Sequence, residues 1–370
     1  MCQNPNLCFA MSPSDPPSPS GPEEAERNAK RQGQLQEFAG ALANGGAADR
    51  VQAAREIRKF ARRSPRARSA LAVPAIIQPL IAMLSSVDHS SRESALLALL
   101  NIALRNERNK EKIVSNGVVP LLVDILRSDS SLRELATAAI LTLSSLNSNK
   151  PIIAASGAVH LLVKILVSGS MQGRVDAVTA LYNLSNCKEI SEDIHLSIEA
   201  VRPLLTLLRD SKKYSKFADK AAGLLGILSK SEEGRCAISE VRGGILTLVE
   251  TVEEGSLLST EHAVSILLSL CRSNREKYRK LILNEGPIPG LLILTVEGTK
   301  KANDLARDLL ELLRDDSRHK KVASEDLETI VYSIATRVDG PDKAEETAKK
   351  LLQDMLRRNM EADINRLQLT

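Results

Sequence analysis

Ala95-Leu96-Leu97-Ala98-Leu99-Leu100-Asn101-Ile102 holds a small residue at its head, a large aliphatic four positions on at Leu99, and another apolar residue three further at Ile102. Offsets of 0, +4 and +7 fall on one stripe of an α-helix. The same signature returns as Ala53/Ile57/Phe60, Ala136/Ile140/Leu143, Ala177/Leu181/Leu184, Ala221/Leu225/Leu228, Ala263/Leu267/Leu270 and Ala306/Leu310/Leu313, at steps of 41 to 44 residues. One helical stripe copied seven times predicts an all-α solenoid, in which each unit buries its apolar face only against its neighbours. Alanine leads each copy because a small side chain lets the adjacent helix come close. Function is then to be sought along a surface rather than inside a pocket.

Around this stripe each repeat reads as short helix, helix, long helix. The middle helix has its own motif, Gly117-Val118-Val119-Pro120-Leu121-Leu122-Val123-Asp124-Ile125-Leu126 and Gly157-Ala158-Val159-His160-Leu161-Leu162-Val163-Lys164-Ile165-Leu166, with weaker copies from Gly33, Ala75, Glu199, Gly243 and Gly286. Its leading glycine fits a sharp turn that needs φ > 0. Ser90 to Glu93 and Ser131 to Glu134 read as capping boxes opening two long helices. The third copy has Gln172 and Val175 in those places, so a frayed turn is expected there.

The repeats are expected to fill residues 33–315. Residues 1–22 are dense in Pro, Ser and Asp and are expected to be a disordered tail. Beyond Arg314, Ser324 to Val338 and Lys343 to Met360 read as amphipathic helices split by Gly340-Pro341, with Ser324 as an N-cap ahead of Glu325 and Asp326. A stripe of Leu327, Ile330, Val331 and Ile334 suits a helical cap over 324–360, closing the last apolar face of the stack; a mobile partner-binding tail is the other reading.

Composition narrows the function. The chain has 370 residues, 43% apolar but only 2% aromatic and without Trp, so its core must be aliphatic. Fifty basic residues against 46 acidic give a net charge of +4, too balanced to make nucleic acid the general partner. A local exception runs from Arg50 to Arg68 through Arg55, Arg58, Lys59, Arg62, Arg63 and Arg66: a solvated helix face, a docking patch for an acidic partner, or a contact with anionic lipid. Cys2, Cys8, Cys187, Cys236 and Cys271 form no CxxC pair and lie in no ligand-like spacing with histidine, so no metal site is expected. An odd count of cysteines without a secretory signal points to reduced thiols, in the cytoplasm or nucleus. No apolar run is long enough to span a bilayer. His89, His160, His195, His262 and His319 are dispersed, and no nucleotide loop, nucleophile elbow or kinase signature occurs, so neither a cofactor nor a catalytic residue is expected.

Arg92-Glu93-Ser94-Ala95 with Asn101-Ile102-Ala103, and Ala180-Leu181-Tyr182-Asn183-Leu184-Ser185, following the Gly-led middle-helix motif, resemble armadillo repeats over residues 33 to 315. The resemblance implies a right-handed superhelical solenoid of about seven repeats. More narrowly, Ala53-Ala54-Arg55-Glu56-Ile57-Arg58 with Ala61-Arg62-Arg63-Ser64-Pro65-Arg66, and Gly298-Thr299-Lys300-Lys301-Ala302 before Ala306-Arg307-Asp308-Leu309-Leu310, resemble the armadillo region of plant U-box ubiquitin ligases. With 32 residues ahead of the first repeat motif and 55 helical ones after the last, the U-box itself is expected to be missing, leaving the substrate-binding half.

The resemblance also implies a partner groove lined by the long helices. Six residues after each signature alanine stand Lys59, Asn101, Thr142, Asn183, Ile227, Ser269 and Leu312; in armadillo proteins this place often carries an Asn ladder that bonds the main chain of an extended peptide. Asn101, Thr142 and Asn183 are candidates for a polar floor, or are plain solvent-facing residues. The absence of Trp speaks against the arrangement of a nuclear-import receptor. A second ladder, Arg50, Arg92, Arg133 and Arg174, sits three residues before successive alanines and suits carboxylate or phosphate partners; pairing with acids such as Glu93 and Glu134 is the alternative. The expected function is a non-catalytic scaffold or adaptor holding a segment or helix of another protein, in a plant ubiquitin-related or signalling setting. The alternative is a substrate-recognition component that works with a U-box partner in trans.

Overall fold

A computed structural model describes residues 22–128, 131–185, 198–210, 216–314, 324–341 and 343–354, which contain helices and turns and no strand. The expected tail, residues 1–22, lies outside this set except for Pro22, which opens the first helix. Two compact units divide between Leu121 and Leu122.

The first unit holds α1 (Pro22–Asn44), α2 (Ala47–Arg63), α3 (Pro65–Leu71), α4 (Pro74–Met83), α5 (His89–Ala103), α6 (Glu107–Ser115) and the first turn of α7 (Val118–Arg127). The long helices α2 and α5 lie side by side, with α3 against both, α4 on α5, and α1 against α2 and α4. Ala53, Ile57 and Phe60 of α2 and Ala95, Leu99 and Ile102 of α5 are all buried, as their spacing requires. Phe38 of α1 meets Phe60 edge-on at 5.9 Å. Asn109 of α6 is 2% exposed and satisfied: its amide donates at 2.9 Å both to Ile102 O, at the end of α5, and to Arg68 O in α3. A buried amide must find such partners, and here doing so ties three helices together.

The second unit continues α7 and adds α8 (Arg133–Ser144), α9 (Lys150–Ala155), α10 (Ala158–Ser168), α11 (Met171–Ser185), α12 (Val201–Asp210), α13 (Lys216–Leu228), α14 (Glu232–Glu240), α15 (Gly244–Glu254), α16 (Leu257–Ser273), α17 (Arg275–Leu283), α18 (Ile288–Glu297), α19 (Lys300–Leu313), α20 (Ser324–Asp339) and a last helix, α21, over 344–354. The third helices of successive repeats, α8, α11, α13, α16 and α19, each pack on the next, and α10, α12, α15 and α18 back the third helix of their own repeat. Ala136, Ala177, Ala221, Ala263 and Ala306 are each 0% exposed. Leu310, in the final repeat, is only half-buried.

Helix boundaries follow different capping residues from those expected. Neither Ser90/Glu93 nor Ser131/Glu134 forms the cap. Asp88 caps α5, accepting from Ser90 N and Ser91 N, and α8 begins behind Leu132 with no side-chain cap. The turn expected to fray is held instead by Ser170, whose hydroxyl accepts from Gly173 N at 3.1 Å. Ser256 caps α16 and Thr299 caps α19 in the same way. Asp88, Ser170, Ser256 and Thr299 each stand seven residues before a signature alanine, so the cap repeats with the solenoid. An oxygen side chain there satisfies an orphan N–H of the first turn.

Gly117, Gly157, Gly243 and Gly286 adopt φ of 85°, 82°, 74° and 68°, the left-handed turn expected before the middle helices. Gly33 does not, because α1 runs through it without a break. At the C-terminus Gly340, with φ 80°, separates α20 from α21. Val331 and Ala335 of α20 bury against Ala344, Ala348, Leu351 and Leu352 of α21, and α20 also touches α18. Val331 and Ile334 are buried as expected, but Ile330 is 39% exposed. The Leu327 side chain and residues 355–360 lie outside the described residues.

Candidate protein-binding surface

The six residues singled out from the sequence separate into two sets, set by where their position falls on the third helix. Asn101, Thr142 and Asn183 are half-buried on the outward side of their helices, and each also serves its own fold. Asn101 Nδ2 donates to Leu97 O at 2.7 Å and Thr142 Oγ1 to Ala138 O at 2.8 Å, both one turn back. Asn183 Nδ2 reaches from α11 to Ser144 Oγ on α8 at 3.2 Å. In the sixth repeat Ser269 donates from the same position to Ser229 O at 3.0 Å. A primary amide has two N–H groups and an oxygen, so Asn101 and Asn183 each keep hydrogen-bonding capacity beyond these contacts.

The arginines sit at the other end of the helix and do other work. Arg133 directs Nε and Nη2 to Ser128 O at 3.1 and 2.9 Å; Arg174 directs Nε to Gly169 O at 2.9 Å and Nη2 to Val167 O at 3.3 Å. Both therefore close the carbonyl end of the preceding middle helix. Those carbonyls lack intrahelical partners, and the negative end of the helix dipole favours a cation. In the first unit Arg50 makes a longer bond of this kind to Ala43 O at 3.4 Å, while the buried Nε of half-buried Arg92 has no hydrogen-bond partner among the described residues. Within the second unit Arg174 lines an open cleft of about 610 Å³ with Val167, Ile198, Arg202 and Glu240, and Arg133 lines one of about 270 Å³ with Lys164 and Glu199. Thr142 and Asn183 line neither.

Sequence reading missed a set of contacts between third helices in the second unit. Ser256, the cap of α16, donates its hydroxyl to Asp219 on α13; Thr299, the cap of α19, donates to Glu261 on α16 at 2.5 Å. Each hydroxyl thus serves its own helix and the neighbouring one. Lys301 adds an ion pair to Glu261 at 3.4 Å. Tyr182 of α11 and His262 of α16 close over α13 at Gly223, where an added Cβ would lie 2.5 Å from Tyr182 Cε2 and 3.3 Å from His262 Nε2. Only a residue without a side chain admits that approach. His262 Nε2 is buried with no hydrogen-bond partner among the described residues. Burial foremost, then the charge of Lys301, lowers the His262 pKa, against the opposing pull of Glu261 and Asp219. Asp176 on α11 moves the other way: burial raises its pKa, Glu134 on α8 adds to that, and a hydrogen bond from Gln172 at 2.9 Å partly offsets both. The signal for the hydroxyl contacts was present, as Ser and Thr at one fixed offset from the alanines.

No single helix among the described residues is long and apolar enough to cross a membrane. Each unit has an amide or hydroxyl side chain on the outward side of its third helices: Asn101 in the first, and Thr142, Asn183 and Ser269 at the same register in the second.

Comparison with known proteins identifies the fold and the family. A U-box domain-containing protein of Arabidopsis thaliana, number 45, is 30% identical over 290 residues, which are 75% of this chain and 37% of that protein. U-box domain-containing protein 17 of the same plant is 31% identical over 282 residues, 74% of this chain and again 37% of the relative. The chain thus spans little more than a third of these relatives' length. Among solved structures, an engineered protein superposes with a TM-score of 0.60 at 22% identity, covering 86% of this chain and 82% of its own, a likeness of fold alone. The family model described as the plant U-box protein ARM (armadillo) repeat region matches residues 34–332, and the chain belongs to that family.

Proposed function

We propose that this chain is a non-catalytic protein-binding scaffold that holds an extended segment or a helix of another protein along its third helices, in a plant ubiquitin-related or signalling pathway. One observation carries the reading: half-buried amides and hydroxyls recur at a single register, and Asn101 and Asn183 keep hydrogen-bonding capacity for a main chain. Packed helices present these groups already ordered, so the partner bears most of the ordering cost. Reduced cysteines fit a cytoplasmic or nuclear setting, and Cys236 and Cys271 are free thiols.

Quantitative affinity capture from plant tissue, with wild-type and Asn101→Ala/Asn183→Ala protein side by side, tests it. Loss of two neutral hydrogen bonds is expected to weaken partner retention roughly fivefold or more, with the helical circular dichroism unchanged. Equal retention by both proteins removes the amides from the mechanism.

A second reading follows from the U-box relatives: the chain recognises substrate for a U-box protein acting in trans. Reconstitution with purified ubiquitin-charging enzymes separates the two. Product that requires an added U-box protein favours the second reading, and product from this chain alone overturns the non-catalytic one.

A further inference from the structure

Charge is unevenly divided along the chain. Residues 22–121 carry sixteen Lys and Arg against ten Asp and Glu, a net +6, while residues 122–370 carry 34 against 35. The imbalance concentrates on α2 and α3: from Arg50 to Val87 there are eight basic residues and one acid, Glu56. That acid is already engaged, accepting from Lys59 Nζ at 2.8 Å and from Gln52 Nε2 at 2.9 Å.

Arg50, Arg55, Lys59, Arg62, Arg63 and Arg66 are all exposed. Arg55, Lys59 and Arg62 are four and three residues apart and so share one face of α2. Lys59 stands at the register of Asn101 on α5, the helix packed beside it, and Arg55 reaches across to Ser90 Oγ on α5 at 3.2 Å. The row therefore lies on the third-helix side that carries the proposed function. Intramolecular duties account for only part of it. Arg62 and Arg63 complement the carbonyl end of α2, and Arg63 stacks 5.4 Å from the centre of the Phe60 ring. The other two of the eight are not exposed: Arg58 is half-buried, and Arg68 is buried and donates to Ala61 O at 3.3 Å. The side chains of Arg62 and Arg66 have no hydrogen-bond or ion-pair partner among the described residues.

We infer that this face of the first unit is the docking surface for an acidic segment of a partner protein, a refinement that rests on the scaffold reading. Arginine forks engage carboxylates with directional, charge-assisted bonds, and Asn101 beside them has an amide suited to a main chain. The combination fits a protein segment better than the other polyanions. Binding of single-stranded nucleic acid uses exposed rings for base stacking, and the aromatic of α2, Phe60, is 6% exposed. Docking on an anionic membrane through a helix uses an apolar face that enters the lipid, and no large apolar side chain of α2 is exposed.

The test is fluorescence anisotropy of the full chain with a labelled peptide of alternating Glu and Gly, against a Lys-Gly peptide of equal length. Wild-type protein is expected to bind the Glu peptide, with affinity falling as salt rises. Arg55→Glu/Lys59→Glu/Arg62→Glu is expected to weaken it roughly tenfold or more, and the Gln versions of the three to weaken it less. Lys230→Glu/Arg242→Glu/Lys280→Glu makes the same change in net charge on exposed residues of the second unit and is expected to leave binding unaltered. Equal loss in both triple variants, no loss in the first, or equal binding of the Lys peptide overturns the proposal. So does sedimentation with phosphatidylserine vesicles that depends on the three residues while the Glu peptide stays unbound. Failure here leaves the capture experiment standing, because that reads partners of any charge. A chain that binds the peptide yet captures no protein removes the scaffold reading instead.

Discussion

The long helices α2 and α5 of the first unit and α13 and α16 of the second share one alanine-led stripe and little else. Between α2 and α5 an exposed bond runs from Arg55 to Ser90, and water-facing cations flank it. Between α13 and α16 a cap hydroxyl meets Asp219, His262 sits against Gly223, and Ser269 bonds Ser229 O. The stripe makes helices stack, whereas the residues one step off it decide whether the seam faces water or is closed by neighbouring side chains. A seam closed in this way is built for stability. The open one keeps its cations, Arg55, Lys59 and Arg62, exposed to water.

If the stripe is common to both, breaking it should cost each unit alike, and this is the largest effect expected. Ala95 and Ala263 are each 0% exposed. Ala95→Arg and Ala263→Arg each force a long cation into a packed contact, and each is expected to lose roughly 1–3 kcal/mol or more in urea unfolding. A large loss at one and none at the other would mean that the repeats are not equivalent in packing. The next effect should differ between the seams. Ser256→Ala removes a cap and the bond to Asp219 together and is expected to lose about 0.5–2 kcal/mol. Ser90→Ala removes one surface bond and is expected to stay within about 0.5 kcal/mol. Equal losses would erase the distinction drawn between the two regions.

The stacking skeleton was legible because it depends on one offset pattern: Ala136 and Ala177 are buried where the spacing puts them, and Gly157 turns where its motif begins. Capping was misread because Ser90 and Ser131 match a local motif, while the working caps are set by where the preceding loop delivers the chain, at Asp88 and Ser170. The arginine ladder was seen as a period, but its use could not be seen, since Ser128 O and Gly169 O become acceptors only once the middle helix ends beside the arginine. His262 looked like one of five dispersed histidines. Its burial depends on Gly223 and Tyr182, which lie 39 and 80 residues earlier in the chain, and no local window joins them.

That histidine gives the subtlest way to sharpen the comparison. Unfolded, the imidazole titrates near its ordinary 6.5; folded, burial and Lys301 hold it lower. Between those two values the unfolded chain takes up a proton that the folded chain refuses, so acid favours unfolding. The stabilisation is whole above 6.5, drains away as the pH falls through the lowered folded value, and is constant below it. Urea midpoints of wild-type and His262→Gln protein between about pH 8 and 5 should therefore diverge, the wild type losing more stability on acidification. Parallel profiles would mean that the ring is as well solvated when folded as when unfolded. In that case the seam between α13 and α16 is as open to water as the one between α2 and α5, where the unit's one histidine, His89, is exposed.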